Sequence, residues 1–160
     1  MELKELIIEK LRSNFQDSLI EVCEFRGDLA LVVDAGRIAD ICKFLRDDAE
    51  LQFEMCQDIT AIDWAKRKNR FTVVYHIYSL KNKFRLRLKA NIGKETIESV
   101  TSIWSSANWY ERETFDMFGI RFNNHPDLRR VYMPEEYEYH PLRKEFPLLG
   151  IPGSIPLPKK

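Results

Sequence analysis

The sequence predicts an α+β domain in the order helix, two strands, helix, three strands and one or two closing helices. Its sheet, mixed or antiparallel, should be covered by helices on one face. Three observations point there. Leu3, Leu6, Ile7 and Leu11 recur at helical spacing. Short β-prone runs then come as a pair and a trio, separated by a second helical pattern. All seven prolines lie between residues 126 and 158, so an extended, proline-rich C-terminal tail should follow the regular structure.

The first helix should span about a dozen residues. Residues 19–25 and 29–33 form the first strand pair, joined by a hairpin turn at Arg26-Gly27-Asp28. Asp34 can cap a second helix whose apolar face is Ile38, Ile41, Cys42 and Leu45. Asp47 and Asp48 oppose the helix dipole at its far end, so the helix should stop there. A third strand falls within residues 53–64. Residues 71–78 are apolar on both faces, which suits a central strand. Residues 84–90 alternate: Phe84, Leu86, Leu88 and Ala90 point inward, Arg85, Arg87 and Lys89 outward. That period marks an antiparallel strand with one exposed face. Residues 1–124 are expected as the α+β domain and 125–160 as a segment that wraps a partner.

With 25 basic and 25 acidic residues the chain is neutral, which gives no long-range pull toward nucleic acid or anionic lipid. Neutrality suits a protein that lives inside an assembly. No apolar run is long enough to span a bilayer, and the N-terminus is too charged for a signal peptide. Cys23, Cys42 and Cys56 are widely spaced and are expected as reduced core thiols. His76, inside an apolar strand, is expected in the core. The basic run at residues 66–70 reads as a solvated hairpin tip.

Residues 111–130 carry the densest information. Four acidic and four basic side chains alternate with Phe115, Met117, Phe118, Ile120 and Phe122, a mixture that suits a surface buried against something else. Asn108 and Glu111 can form a capping box, with Glu111 and Glu113 in the first turn. Arg112 and Asp116 are four apart and can pair along the helix. Gly119 suits the left-handed position that ends a helix. Downstream, His125-Pro126 leads into Asp127-Leu128-Arg129-Arg130, and His140-Pro141 into Leu142-Arg143-Lys144. In each clip Pro holds the chain extended, Leu can fill a pocket and Arg can grip a carboxylate. Glu113, Asp116, His125 and His140 offer metal-ligating atoms, but without metal-site spacing. The sequence has no dinucleotide fingerprint, phosphate loop or nucleophile elbow.

The run from Glu111 to Arg130, Glu-Arg-Glu-x-x-Asp-x-x-Gly-Ile-x-Phe-x-x-His-Pro-Asp-Leu-Arg-Arg, resembles the hallmark of the thirty-kilodalton subunit family of respiratory complex I. Ser106-Ala107-Asn108-Trp109 before it, and the Met-Pro-Glu and His-Pro-Leu-Arg-Lys-Glu-Phe-Pro stretches after it, extend the likeness to about Pro147. The resemblance implies a peripheral-arm subunit on the cytoplasmic face of the membrane, reaching the membrane only through the complex. It implies no flavin, iron–sulfur cluster or quinone held by this chain, although the complex uses NADH, FMN, iron–sulfur clusters and quinone. Its partners would be the hydrogenase-like large subunit and neighbouring iron–sulfur subunits. Glu111, Arg112, Glu113 and Asp116 would then sit in buried or half-buried ion pairs, with Arg129 and Arg130 gripping acidic groups across the interface. Open alternatives are the equivalent subunit of a membrane-bound hydrogenase, a deazaflavin-dependent dehydrogenase or a plastoquinone oxidoreductase. Less favoured are a metal enzyme and a basic binding module built on residues 66–70 and the Arg85, Arg87 and Lys89 face.

Overall fold

The computed structural model describes residues 2–153. Helix α1 (Leu3–Phe15) buries Ile7 and Leu11, and a capping box between Glu2 and Glu5 starts it. Strands β1 (Leu19–Phe25) and β2 (Asp28–Val33) form an antiparallel hairpin. Arg26 at φ 50° and Gly27 at φ 90° make the tight turn, which the right-handed twist of the flanking strands favours. Asp34 accepts a bond from the Gly36 amide, but the turn it caps is a short 3-10 segment leading into helix α2 (Ile38–Asp47). That helix buries Ile38, Ile41, Cys42 and Leu45 and ends where the paired aspartates oppose its dipole.

Strands β3 (Met55–Asp63), β4 (Phe71–Ser79) and β5 (Phe84–Ile92) complete a five-stranded sheet of order β1-β2-β5-β4-β3. The alternating strand β5 sits at the centre. It pairs antiparallel with β4 as expected, but parallel with β2, so the sheet is mixed. The chain reaches that parallel position through α2 and the β3–β4 hairpin. Leu29, Leu31, Val33, Phe71, Val73, Tyr75, Ile77, Leu86, Leu88 and Ala90 join the buried faces of α1 and α2 in one core. At about 25 cal/mol per Å² of apolar surface, such a core supplies the main drive for folding.

Two short strands follow that sequence periodicity did not reveal. Residues Thr96–Glu98 (β6) and Arg121–Asn123 (β7) pair in parallel, with Ile97 and Phe122 buried. Three residues with one inward side chain leave no period to read. Helix α3 (Ala107–Phe118) lies between them, and among the described residues it is the last helix. It packs against β3, an edge strand in the sheet order: the Thr114 and Ser106 hydroxyls donate to the Ile59 and Cys56 carbonyls. Polar groups of an edge strand are thus covered rather than offered to another chain.

Other expectations change. His76 is half-buried on the sheet face away from the helices, because β4 turns alternate side chains to opposite sides. Cys42 and Cys56 are buried, whereas Cys23 is only half-buried on edge strand β1. The solvated tip stops short of Arg70, whose guanidinium binds Asp63 at 2.7 and 2.9 Å. Residues 124–153 contain turns and no helix or strand. The rest of the expected tail, residues 154–160, lies outside the described residues.

Candidate docking site on the third helix

Helix α3 begins at Ala107 with Ser106 as its first cap, earlier in the chain than an Asn108 cap would require. Glu111 is therefore not a first-turn charge. It faces the core with no exposed surface, where its carboxylate accepts from the Val100 amide at 2.7 Å and the Ser99 hydroxyl at 2.6 Å. Burial raises its pKa to about 7, against the pull of those two donors. The side chain thus ties α3 to the loop after β6.

Arg112 does not pair with Asp116. Its guanidinium lies 5.0 Å from the Trp109 ring centre and donates to the Arg129 and Arg130 carbonyls, each at 3.2 Å. Asp116 turns to a different set of donors. One oxygen accepts from Arg130 at 2.6 Å, and the other from three successive amides, Val131, Tyr132 and Met133, at 3.0, 2.7 and 3.0 Å. Three amides converging on one oxygen form an anion nest. Burial pushes the Asp116 pKa up, but the three amides and Arg130 outweigh it and hold the carboxyl below its ordinary value. Arg130 also donates to the Tyr139 carbonyl at 3.2 Å and to that of Tyr137. The expectation that Arg130 reaches outward is therefore corrected: its partner is a fully buried carboxylate of its own chain, too costly to leave unpaired.

The second His-Pro clip seals the other end of α3. Gly119, at φ 76°, ends the helix in the left-handed position, as its sequence context implied. The His140 ring donates through Nδ1 to the Asp116 carbonyl at 2.9 Å, and Arg143 donates to the Phe118 carbonyl at 2.6 Å. These are helix C-terminal carbonyls that the helix itself cannot satisfy. The Leu142 amide takes a third, from Met117. A Cβ on Gly119 would fall 2.7 Å from the His140 ring and closer still to Arg143. Farther on, the Lys144 amide donates to Asp63, Glu145 pairs with Arg70, and Arg143 pairs with Glu95 at 2.8 Å. The Arg70 guanidinium, with the Lys144 and Ala65 amides, holds the Asp63 carboxyl well below the usual carboxylate range.

The first clip is looser at its tip. Leu128 packs against the core, Pro126 is exposed, and Asp127 pairs with Arg129 at the surface at 2.8 Å. Pro141 is half-buried and Leu142 projects outward. Glu113 is half-buried, and no hydrogen bond or ion pair reaches it among the described residues. Exposed Trp109, Tyr132, Tyr139, Leu142, Leu148 and Leu149 are all carried by α3 or by the segment tied to it. No group of three or more His, Cys, Asp or Glu side chains able to hold a metal ion occurs among the described residues.

Local sequence pattern did not single out Ser99, Val100, Asp63 or Glu95, and it read Arg70 only as part of a solvated basic tip. Asp63 and Arg70 flank one hairpin loop with opposite charges, a signal present in the sequence. The link from Asp63 to Lys144 spans 81 positions and leaves no local trace.

A family model described as "Respiratory-chain NADH dehydrogenase, 30 Kd subunit" matches residues 31–151. The chain belongs to that family. It is 47% identical to an NADH-quinone oxidoreductase subunit of Geobacter sulfurreducens, over 88% of each chain. It is also 46% identical to the like-named protein of a Roseiflexus species, over 89% of this chain and 83% of that one. Among solved structures it resembles a trypsin-resistant fragment (1–134) of Nqo5, with a TM-score of 0.63 and 28% identity, covering 78% of this chain and 98% of the fragment. It also resembles a chain of a membrane-bound sulfane sulfur reductase, an archaeal respiratory membrane complex. There the TM-score is 0.77 at 26% identity, covering 92% of this chain and 88% of the other. No helix of the described residues is long and apolar enough to cross a membrane. The α3 block lies within the matched residues; it holds the closing segment against the helix and leaves Trp109, Tyr132 and Tyr139 turned outward.

Proposed function

We propose that this chain is a non-catalytic, cofactor-free subunit of the peripheral arm of a proton-translocating NADH:quinone oxidoreductase, docking the hydrogenase-like large subunit beside neighbouring iron–sulfur subunits and supporting the quinone site. It lies at the cytoplasmic face of the cell membrane and reaches the membrane only through the complex. One observation carries the reading: the outward aromatic and leucine side chains sit on a helix and segment whose charges are mostly satisfied internally. The frame is rigid and its apolar side is open, as an interface needs. The 47% identity to an NADH-quinone oxidoreductase protein, against 26% to a chain of the sulfane sulfur reductase complex, favours the NADH-linked reading over the hydrogenase-type alternatives.

Within this reading the charged residues of α3 and the two clips divide the work. Arg130, His140 and Arg143 hold the segment on its own helix, while Arg129 and Glu113 are available to a partner. The Arg129 side chain is 58% exposed and its ion pair is with an exposed Asp127, a contact worth about 0–1 kcal/mol. Arg129→Ala should therefore leave the melting temperature of the chain nearly unchanged while lowering recovery of assembled complex and its quinone reductase activity. A mutant complex that purifies whole and fully active removes Arg129 from the docking surface.

Truncation after Met133 gives a broader test. It keeps Arg130 and the three amides on Asp116 but removes His140, Arg143 and Lys144. The truncated chain should still unfold cooperatively, at lower denaturant concentration, and should no longer assemble. The trypsin-resistant fragment of Nqo5 supports a separable globular part in that relative. Intact assembly of the truncated chain sinks the wrapping role of residues 134–160.

A further inference from the structure

Glu111 and His125 approach to 3.9 Å in a space where neither side chain has exposed surface. No lysine or arginine forms an ion pair with Glu111 among the described residues; its ligands are the Ser99 hydroxyl and the Val100 amide. Both nitrogens of His125 are engaged. Nε2 faces the Asn108 carbonyl at 3.2 Å and must carry a proton to bond it, while Nδ1 accepts from the Asp127 amide at 3.0 Å. The neutral ring is thus fully satisfied, and the first clip starts from that turn.

We propose that Glu111 and His125 form a buried proton-binding pair that sets how firmly the segment from His125 onward is held on α3. Hydrogen-bond roles dictate the direction. A proton on Glu111 removes an unpaired buried charge and lets the acid donate to the Ser99 oxygen. A proton on His125 converts Nδ1 from acceptor to donor, facing the Asp127 amide, so that bond is lost. Protonation of the carboxyl tightens the hold; protonation of the ring loosens it.

The surrounding groups leave this pair in control. On the core side Glu111 faces Cys42 of α2, Cys56 of β3 and Tyr75 of β4, all pushed upward chiefly by burial and so neutral near pH 7. On the outer side Arg112 and Asp127 act on His125 with opposite signs, and burial lowers its pKa. Signs follow by linkage. Glu111, raised to about 7 from 4.5, contributes stability that is complete below the lower value and lost as pH rises to the upper. His125, lowered from 6.5, contributes stability that is complete above that value and lost as pH falls. Below pH 6.5, down to the folded value of His125, the two oppose each other.

Hydrogen exchange on the full-length chain tests this without any partner, so its outcome is separate from that of the docking role. The probes are the Asp127, Val131, Tyr132 and Met133 amides, corrected for intrinsic rates. In the wild type their protection should change less with pH up to 6.5 than in either variant, and weaken from there to about pH 7. In Glu111→Gln the alkaline weakening should vanish and protection should rise with pH, at most about tenfold per unit. In His125→Gln it should fall across the same range. Identical profiles in all three chains overturn the proposal. Should a variant fail to fold, the wild-type Glu111 carboxyl carbon can be titrated directly by NMR. A midpoint near 7 is expected, and one in the ordinary carboxylate range overturns the pair.

Discussion

Asp116→Ala should destabilise the isolated chain by about 3–5 kcal/mol, the typical cost of removing one member of a buried ion pair, and should block assembly of the complex. The Asp116 side chain has no exposed surface, and Arg130 is about nine-tenths buried. Alanine at this position leaves the buried guanidinium without its counter-charge and the Val131, Tyr132 and Met133 amides without their acceptor. The loss should fall on residues 130–140 first, because those donors fix the turn that leads to His140. Urea unfolding of the variant against the wild type gives the magnitude, and recovery of the complex gives the consequence. Asp116→Asn keeps the shape and one acceptor but loses the charge, so it should fall between the two. Because the Asp116 carboxyl is held below its ordinary value, its contribution is present above about pH 4 and fades as pH falls through the folded value. A loss below about 1 kcal/mol, within the range of a surface pair, contradicts this account of the nest.

What was legible in the sequence divides by range. Strand β1, the Arg26-Gly27 turn, the apolar face of α2 and the Gly119 stop were readable because each is fixed by neighbours within a few residues. The parallel pairing of β2 with β5 was not, since alternation in residues 84–90 reports which face is buried and not which strand lies alongside. Residues 111–130 stand out in the sequence as a place where charges are held; Glu111, Arg112, Asp116 and Arg130 are held within the chain, whereas Arg121, Asp127 and Arg129 lie at the surface. Their partners differ from those expected, because helix spacing makes Arg112 and Asp116 neighbours while the folded chain brings Arg130 and three amides to Asp116 from 14 to 17 positions away. Glu111 was expected in the first helical turn, and the earlier start of α3 makes it a buried carboxyl instead of an exposed cap. The outward reach of Arg129 rests on its exposure, a quantity the sequence does not contain.

Gly119→Ala should cost roughly 2–5 kcal/mol, from two separable causes. A left-handed conformation costs an L-residue about 1–2 kcal/mol, and Gly119 sits at φ 76°. Forcing a methyl into a filled space adds about 1–3 kcal/mol, because His140 and Arg143 occupy the volume where the Cβ would stand. Neither side chain can retreat without cost: each bonds a carbonyl of the last turn of α3, at Asp116 and Phe118. In the chain truncated after Met133 both side chains are gone, and the conformational part alone remains. The same substitution should then cost about 1–2 kcal/mol, measured by urea unfolding in the two backgrounds. Equal costs in both chains would mean that the second clip does not close over Gly119. A smaller cost in the truncated chain ties the helix stop to the segment that covers it, and makes Gly119 a contact of the second His-Pro clip as well as the end of a helix.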